Sequence, residues 1–220
     1  MKFPKSIHSY VTTLTMALGL ASSAQAQSPG HTKPTPRWSL DINSGIHDDT
    51  PYPTDDCTSC KAVPAHGGLN ASFDVNYQVD HLALGLLVES QTEILSGPTQ
   101  AFVGALVAAT TDYDIANIRG GLEAGIHYIE GYDEFLSTTP LTDSDWAALP
   151  YAGLRVEADI TVWKEAGLNL GVWSSLRADL SDFQQDILVD DSFFGSNRKM
   201  QTYQAGGMQL AGGVKTGIRF

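Results

Sequence analysis

MQLAGGVKTGIRF, residues 208–220, alternates along its length: Met208, Leu210, Val214, Ile218 and Phe220 share one parity, and Gln209, Lys215 and Arg219 share the other. A period of two is the signature of a β-strand with one apolar and one polar face. The polar face carries a lysine and an arginine, and the apolar face ends on an aromatic residue.

Working back from this stretch, the same period recurs. A first run near Arg37 to Ile46 sets Trp38, Leu40, Ile42 and Ile46 against Asp41 and Asn43. A second, Gly68 to Gln78, sets Leu69, Phe73, Val75 and Tyr77 against Asn70, Asp74 and Asn76. A third, His81 to Gln91, sets Leu82, Leu84, Leu86 and Val88 against His81 and Glu89. The fourth, Gln100 to Thr111, is apolar on both parities, so its phase is open and it also reads as a buried helix. The fifth, Asn117 to Tyr128, sets Ile118, Leu122 and Ile126 against Arg119, Glu123 and His127. The sixth, Tyr151 to Trp163, sets Leu154, Val156 and Ile160 against Arg155, Glu157 and Asp159. The seventh, Gly167 to Leu180, sets Leu170, Val172 and Leu176 against Asn169, Arg177 and Asp179. The eighth begins at about Met200 and contains the opening stretch.

Eight strands of this length predict an all-β chain, an eight-stranded antiparallel up-and-down barrel. Soluble strands average about five or six residues, whereas a strand crossing a bilayer needs roughly nine to eleven. Short connections (Val79-Asp80, Asp112 to Ala116, Lys164 to Ala166) alternate with longer polar ones (His47 to Gly67, Gln91 to Thr99, Gly131 to Pro150, Ser181 to Lys199). Hydrocarbon supplies no hydrogen-bond partner, so a spanning sheet has to close on itself. The apolar faces then meet lipid and the charged faces line the lumen. A secreted lipocalin-like barrel uses the same period with inside and outside exchanged. In it Leu84 and Ile160 would line a cavity, and Arg155, Glu157 and Asp159 would face water.

The N-terminal end points to export. Lys2 and Lys5 precede an apolar stretch, Val11 to Ala21, that is short of the roughly twenty residues a spanning helix needs. Ala24-Gln25-Ala26 has the small-x-small form of a cleavage site. Residues 1–26 are therefore expected to be a signal peptide, 27–36 a flexible leader rich in proline, and 37–220 the barrel. Without residues 1–26 the chain has eleven basic and twenty-five acidic residues, a net charge of −14. Such a balance argues against a nucleic-acid partner, which needs a basic surface.

Together, the export signal, strand count, loop asymmetry and terminal Phe220 resemble the small eight-stranded bacterial outer-membrane barrels, the group of the OmpA transmembrane domain, OmpX and OmpW. The resemblance implies a Gram-negative outer membrane, short turns and both termini on the periplasmic side, and the four long loops outside. It implies outer-membrane lipid and lipopolysaccharide as surroundings and the barrel-assembly machinery as a partner in biogenesis, with Ile218 and Phe220 as the assembly signal. Trp38, Tyr77 and Phe220 would form the periplasmic aromatic girdle, and Tyr128, Tyr132 and Trp146 the outer one. Thr216 departs from the pattern, because an apolar residue is usual there.

The candidate site is the lumen set: Asp41, Asp74, Glu89, Arg119, Glu123, His127, Arg155, Glu157, Asp159, Arg177, Asp179, Lys215 and Arg219. Eight strands leave an interior that side chains can fill, and buried charges have to pair. Either the set plugs the lumen, or it lines a narrow ion path. Acids outnumber bases, so a leak would favour cations. Cys57-Thr58-Ser59-Cys60 lies in the first long loop and holds the only cysteines. In an exported chain the default is a Cys57–Cys60 disulfide, and a zinc site with His47 or His66 is the alternative. Acidic runs such as Asp48-Asp49, Asp55-Asp56 and Asp190-Asp191 lack the spaced ligands of a calcium loop and read as solvated surface. No cofactor is expected and no loop ligand is legible. The expected role is structural or one of binding by the surface loops, ahead of the narrow cation-preferring pore, and a lipid-active outer-membrane enzyme is the third reading: the resemblance to lipid A deacylases would need a serine two residues after a histidine, and His127 is followed by Tyr128 and Ile129.

Overall fold

In a computed structural model of the chain, residues 37–51, 61–62, 67–93, 99–113, 115–130, 139–140, 147–190 and 198–220 are described. The expected signal peptide, the leader, Cys57 and Cys60, His66, Tyr132 and Trp146 lie outside these residues.

Among the described residues twelve strands follow in chain order: β1 (Arg37–Pro51), β2 (Lys61–Ala62), β3 (Gly67–Val79), β4 (Leu82–Glu93), β5 (Thr99–Asp112), β6 (Ala116–Glu130), β7 (Thr139–Pro140), β8 (Ala147–Trp163), β9 (Leu168–Asp179), β10 (Phe183–Asp190), β11 (Arg198–Ala205) and β12 (Gly207–Arg219). Eight of them, twelve to seventeen residues long, form one closed antiparallel barrel in the order β1-β3-β4-β5-β6-β8-β9-β12 and back to β1. This is the up-and-down barrel expected from the alternation.

The β1–β12 seam closes the cylinder. Trp38 and Phe220 exchange backbone hydrogen bonds of 2.8 and 2.9 Å, and the Trp38 ring packs on Tyr77 at 4.7 Å. Midway along the seam Gly45 faces Gly213. A Cβ on Gly45 would collide with the Gly212 carbonyl, so the missing side chain is what lets the two backbones approach.

Inside and outside follow the parity of each strand. Leu86, Leu122 and Ile46 are 66, 65 and 67% exposed on the outer face, while Glu89, Arg119 and Glu157 are 0, 2 and 2% exposed inside. Leu84 and Ile160 point outward, about half exposed. The lipocalin-like alternative required the reverse placement and is excluded by it. Thr216 also stands outward, its hydroxyl 3.5 Å from the Asn169 carbonyl.

One open point is resolved and two expectations are corrected. The open phase of the fourth run resolves as a strand with even residues inward: Gln100, Phe102, Leu106, Ala108 and Thr110 are buried. Its inner face is largely apolar, which is why no alternation showed. The eighth run does not begin at Met200. Residues 198–205 belong to β11, and the barrel strand starts at Gly207 after Gly206, whose φ of 112° only glycine adopts readily. Ser181 to Lys199 is not plain loop, because β10 pairs with β11 over eight residues in an antiparallel hairpin. This hairpin gains a short antiparallel partner, β7, on one edge and a parallel one, β2, on the other. The result is a second sheet, β2-β11-β10-β7, built from three of the long connections.

Candidate functional site

The inward parity is odd on β1, β4, β6, β8, β9 and β12 and even on β3 and β5. Closure then brings together charges as far apart in sequence as Asp41 and Lys215, which meet because β12 pairs with β1. All thirteen lumen residues named from the sequence lie inside the barrel, twelve of them buried and Arg219 partly so.

In the half nearer Phe220, Glu157 is the shared acceptor. Lys215 Nζ donates to Glu157 Oε2 at 2.7 Å, and Arg155 Nε donates to Glu157 Oε1 at 2.7 Å. Arg119 Nη1 stands 3.4 Å from Glu157 Oε2 and 3.8 Å from Asp41 Oδ2. Lys215 also reaches Asp41 at 3.3 Å and Asp159 at 3.4 Å. Arg219 donates to Asp159 at 2.9 Å. Arg155 Nη2 donates to Asp74 at 2.5 Å, and Asp74 also accepts from Asn43 at 2.7 Å.

In the other half the centre is a cation. Arg177 donates from Nε to Glu123 at 2.5 Å, from Nη2 to Glu89 at 2.8 Å and from Nη1 to Gln209 at 3.2 Å. Arg155 Nη1, 3.9 Å from Glu123 Oε2, joins the two halves. Above Arg177 lies a ring of amides and acids. Gln209 and Gln91 exchange hydrogen bonds of 2.8 Å in both directions, and Gln209 donates to Asp49 at 2.7 Å. Gln100 donates to the other oxygen of Asp49 at 3.1 Å. His127 sits between Gln100 and Asp179, at 2.9 and 3.0 Å.

Sequence reasoning missed the aromatic part of the interior. Phe102 stacks on His127 with centroids 4.1 Å apart, and Tyr151 meets Phe102 edge-on at 5.1 Å. The Arg177 guanidinium lies 4.5 Å over Phe102, and that of Arg155 lies 4.8 Å over Trp173. These stacks shield the guanidiniums from water and add a cation–π attraction. The available signal was parity: Tyr151 and Trp173 are odd residues on the strands that also turn Arg155 and Arg177 inward. His47, considered above as a loop ligand for zinc, instead lies on β1 facing the lumen, 4% exposed and 3.9 Å from Asp49.

Chemically this is a polar core. A buried charge is tolerable only when paired and hydrogen-bonded, and each guanidinium here has carboxylates on more than one side. Seven of the thirteen named residues are carboxylates and five are Arg or Lys, so the interior leans acidic.

No protein-family model and no curated protein matches the chain. Among solved structures, the crystal structure of Neisserial surface protein A (NspA) is similar, with a TM-score of 0.51 at 9% sequence identity. The alignment covers 81% of this chain and 95% of that one. At such identity the likeness concerns the fold: an eight-stranded closed antiparallel barrel resembling the small outer-membrane barrels typified by NspA.

Proposed function

We propose that the chain is an exported bacterial outer-membrane barrel whose lumen is a packed polar plug, and whose working surface is the group of long connections on the outer side. Residues 1–26 serve as its signal peptide, and outer-membrane lipid, lipopolysaccharide and the assembly machinery are its surroundings and partners. The observation that carries the reading is the inversion of a soluble core. Arginine and glutamate fill the centre at a few per cent exposure while leucine, isoleucine and valine cover the outside. Such an outer face is stable where the solvent is hydrocarbon. In this reading no residue is assigned a catalytic role, and binding falls to the outer segments.

A second reading, a narrow cation-preferring pore, draws on atoms such as Glu123 Oε2, Asp74 Oδ1, Asn43 Oδ1 and Arg119 Nε, which are buried without a hydrogen-bond partner among the described residues. Polar atoms of this kind take water as a partner, and a hydrated lumen is what such a pore would require.

The two readings separate in a planar bilayer. Residues 27–220, refolded and inserted, are expected to give no current steps. Reproducible cation-selective steps would replace the plug with the pore, and failure to insert where a known barrel succeeds would remove the membrane reading.

A further inference from the structure

We propose that His127, with both ring nitrogens donating, latches the root of the β10–β11 hairpin to the barrel wall. The inference holds whether or not the lumen conducts.

Hydrogen-bond accounting leads to it. A guanidinium only donates, so Arg177 Nη1 requires Gln209 to turn its oxygen inward and its amide nitrogen toward Asp49. The Asp49 carboxylate only accepts, so Gln100 presents its nitrogen to Asp49 and its oxygen to His127 Nε2. Nε2 therefore carries a hydrogen. On the other side of the ring, Asp179 accepts the Gly207 backbone N–H through Oδ2 at 3.0 Å and faces His127 Nδ1 through Oδ1. A proton must lie in that contact too, and imidazole is more basic than carboxylate. Both ring nitrogens then donate, which only the imidazolium does. Phe102, stacked on the ring, offers its negative π-face to the cation.

Placement gives the cation its role. Asp179 is the last residue of β9 and Gly207 the first of β12, so they are the two stalks on which the hairpin stands. Through Asp179, His127 ties both stalks to β6, and through Gln100 it ties them to β5 and Asp49 of β1. The charged and titratable groups of the surrounding upper lumen are Asp179 and Arg177 of β9, Glu123 of β6, Tyr151 of β8, Asp49 and His47 of β1, and Glu89 of β4. From β5 and β12 the nearby side chains are Gln100, Phe102 and Gln209, all uncharged. A ring with only one proton would leave a nitrogen lone pair facing the Gln100 oxygen or the Asp179 carboxylate, and one of the two contacts would be lost.

The test uses the full chain refolded in detergent micelles with 15N-labelled histidine. His127 is assigned through its contacts with the Phe102 ring. In the folded chain both of its ring nitrogens are expected to be protonated, and a spectrum with one unprotonated nitrogen overturns the proposal. At one fixed pH, His127→Gln is expected to speed amide exchange at Gly207 and along β10 at least tenfold and to leave Lys215 unchanged. Unchanged exchange at Gly207 and β10 overturns the latch. If that variant does not fold, the ring-nitrogen spectrum of the unmodified chain still decides the charge. Exchange at Gly207 relative to Lys215 in Asp179→Asn, which keeps the side-chain shape but not the charge, is then expected to rise likewise, and unchanged exchange overturns the latch.

Discussion

Arg177 illustrates how much one side chain can hold in a closed barrel. Its three donor groups reach Glu123, Glu89 and Gln209 on three different strands, and its face lies on Phe102. The pairing is not a large net gain, because removing ions from water costs several kcal/mol each. Its importance is asymmetric: take away the cation and two buried carboxylates are left facing each other. Arg177→Met is therefore expected to destabilise the refolded barrel by about 3–5 kcal/mol, read as a lower urea midpoint in lipid vesicles. Combining it with Glu89→Gln and Glu123→Gln is expected to recover part of that loss. A single variant as stable as the parent would mean that the upper cluster does not depend on Arg177.

Strands are where sequence and structure can be compared most directly. On β6 or β8 the polar parity holds Arg119 and Glu123, or Arg155 and Glu157, so both the period and its phase were legible. On β5 the inward positions are Phe102, Leu106 and Ala108, filling a region where the opposite wall already supplies the charges. Only Gln100 and Thr110, at its two ends, mark the phase, and two polar residues eleven apart inclusive do not make a pattern. At the eighth run the strands 198–205 and 207–219 are separated by Gly206 alone, and a single glycine does not register as a change of period. The hairpin was hidden by its acids, which read as solvated loop. The charged part of the site was legible because alternation places it; its aromatic part was not, because Tyr151 and Trp173 resemble interface residues when partners on other strands are unknown. The outer face of these strands supports a further expectation. Leu122→Arg, on the exposed face of β6 near its middle, is expected to cost about 2–4 kcal/mol in a bilayer. The measurement is again urea unfolding in vesicles. An unchanged midpoint would indicate that this face meets water.

For the whole molecule, the barrel and the second sheet differ in how they are joined. Every barrel strand pairs along most of its length with two neighbours, whereas β2 and β7 each contribute two residues to the edges of the hairpin. Gln204 on β11 pairs with Gln184 on one side and Ala62 on the other. Proline offers no backbone N–H and does not fit a paired strand. Gln204→Pro is expected to increase cleavage by added protease in the outer segments, while the barrel keeps the gel mobility of its folded form. Protection equal to the parent would show that the sheet does not order those segments. The sheet also has a meaning for how such a surface can change over time. Three connections share it, so a substitution favourable in one is judged against the geometry of the other two. Variation in these connections should therefore come as matched sets of changes across residues 52–66, 131–146 and 181–206, and transplanting one connection alone into a related barrel would carry only a fragment of the sheet.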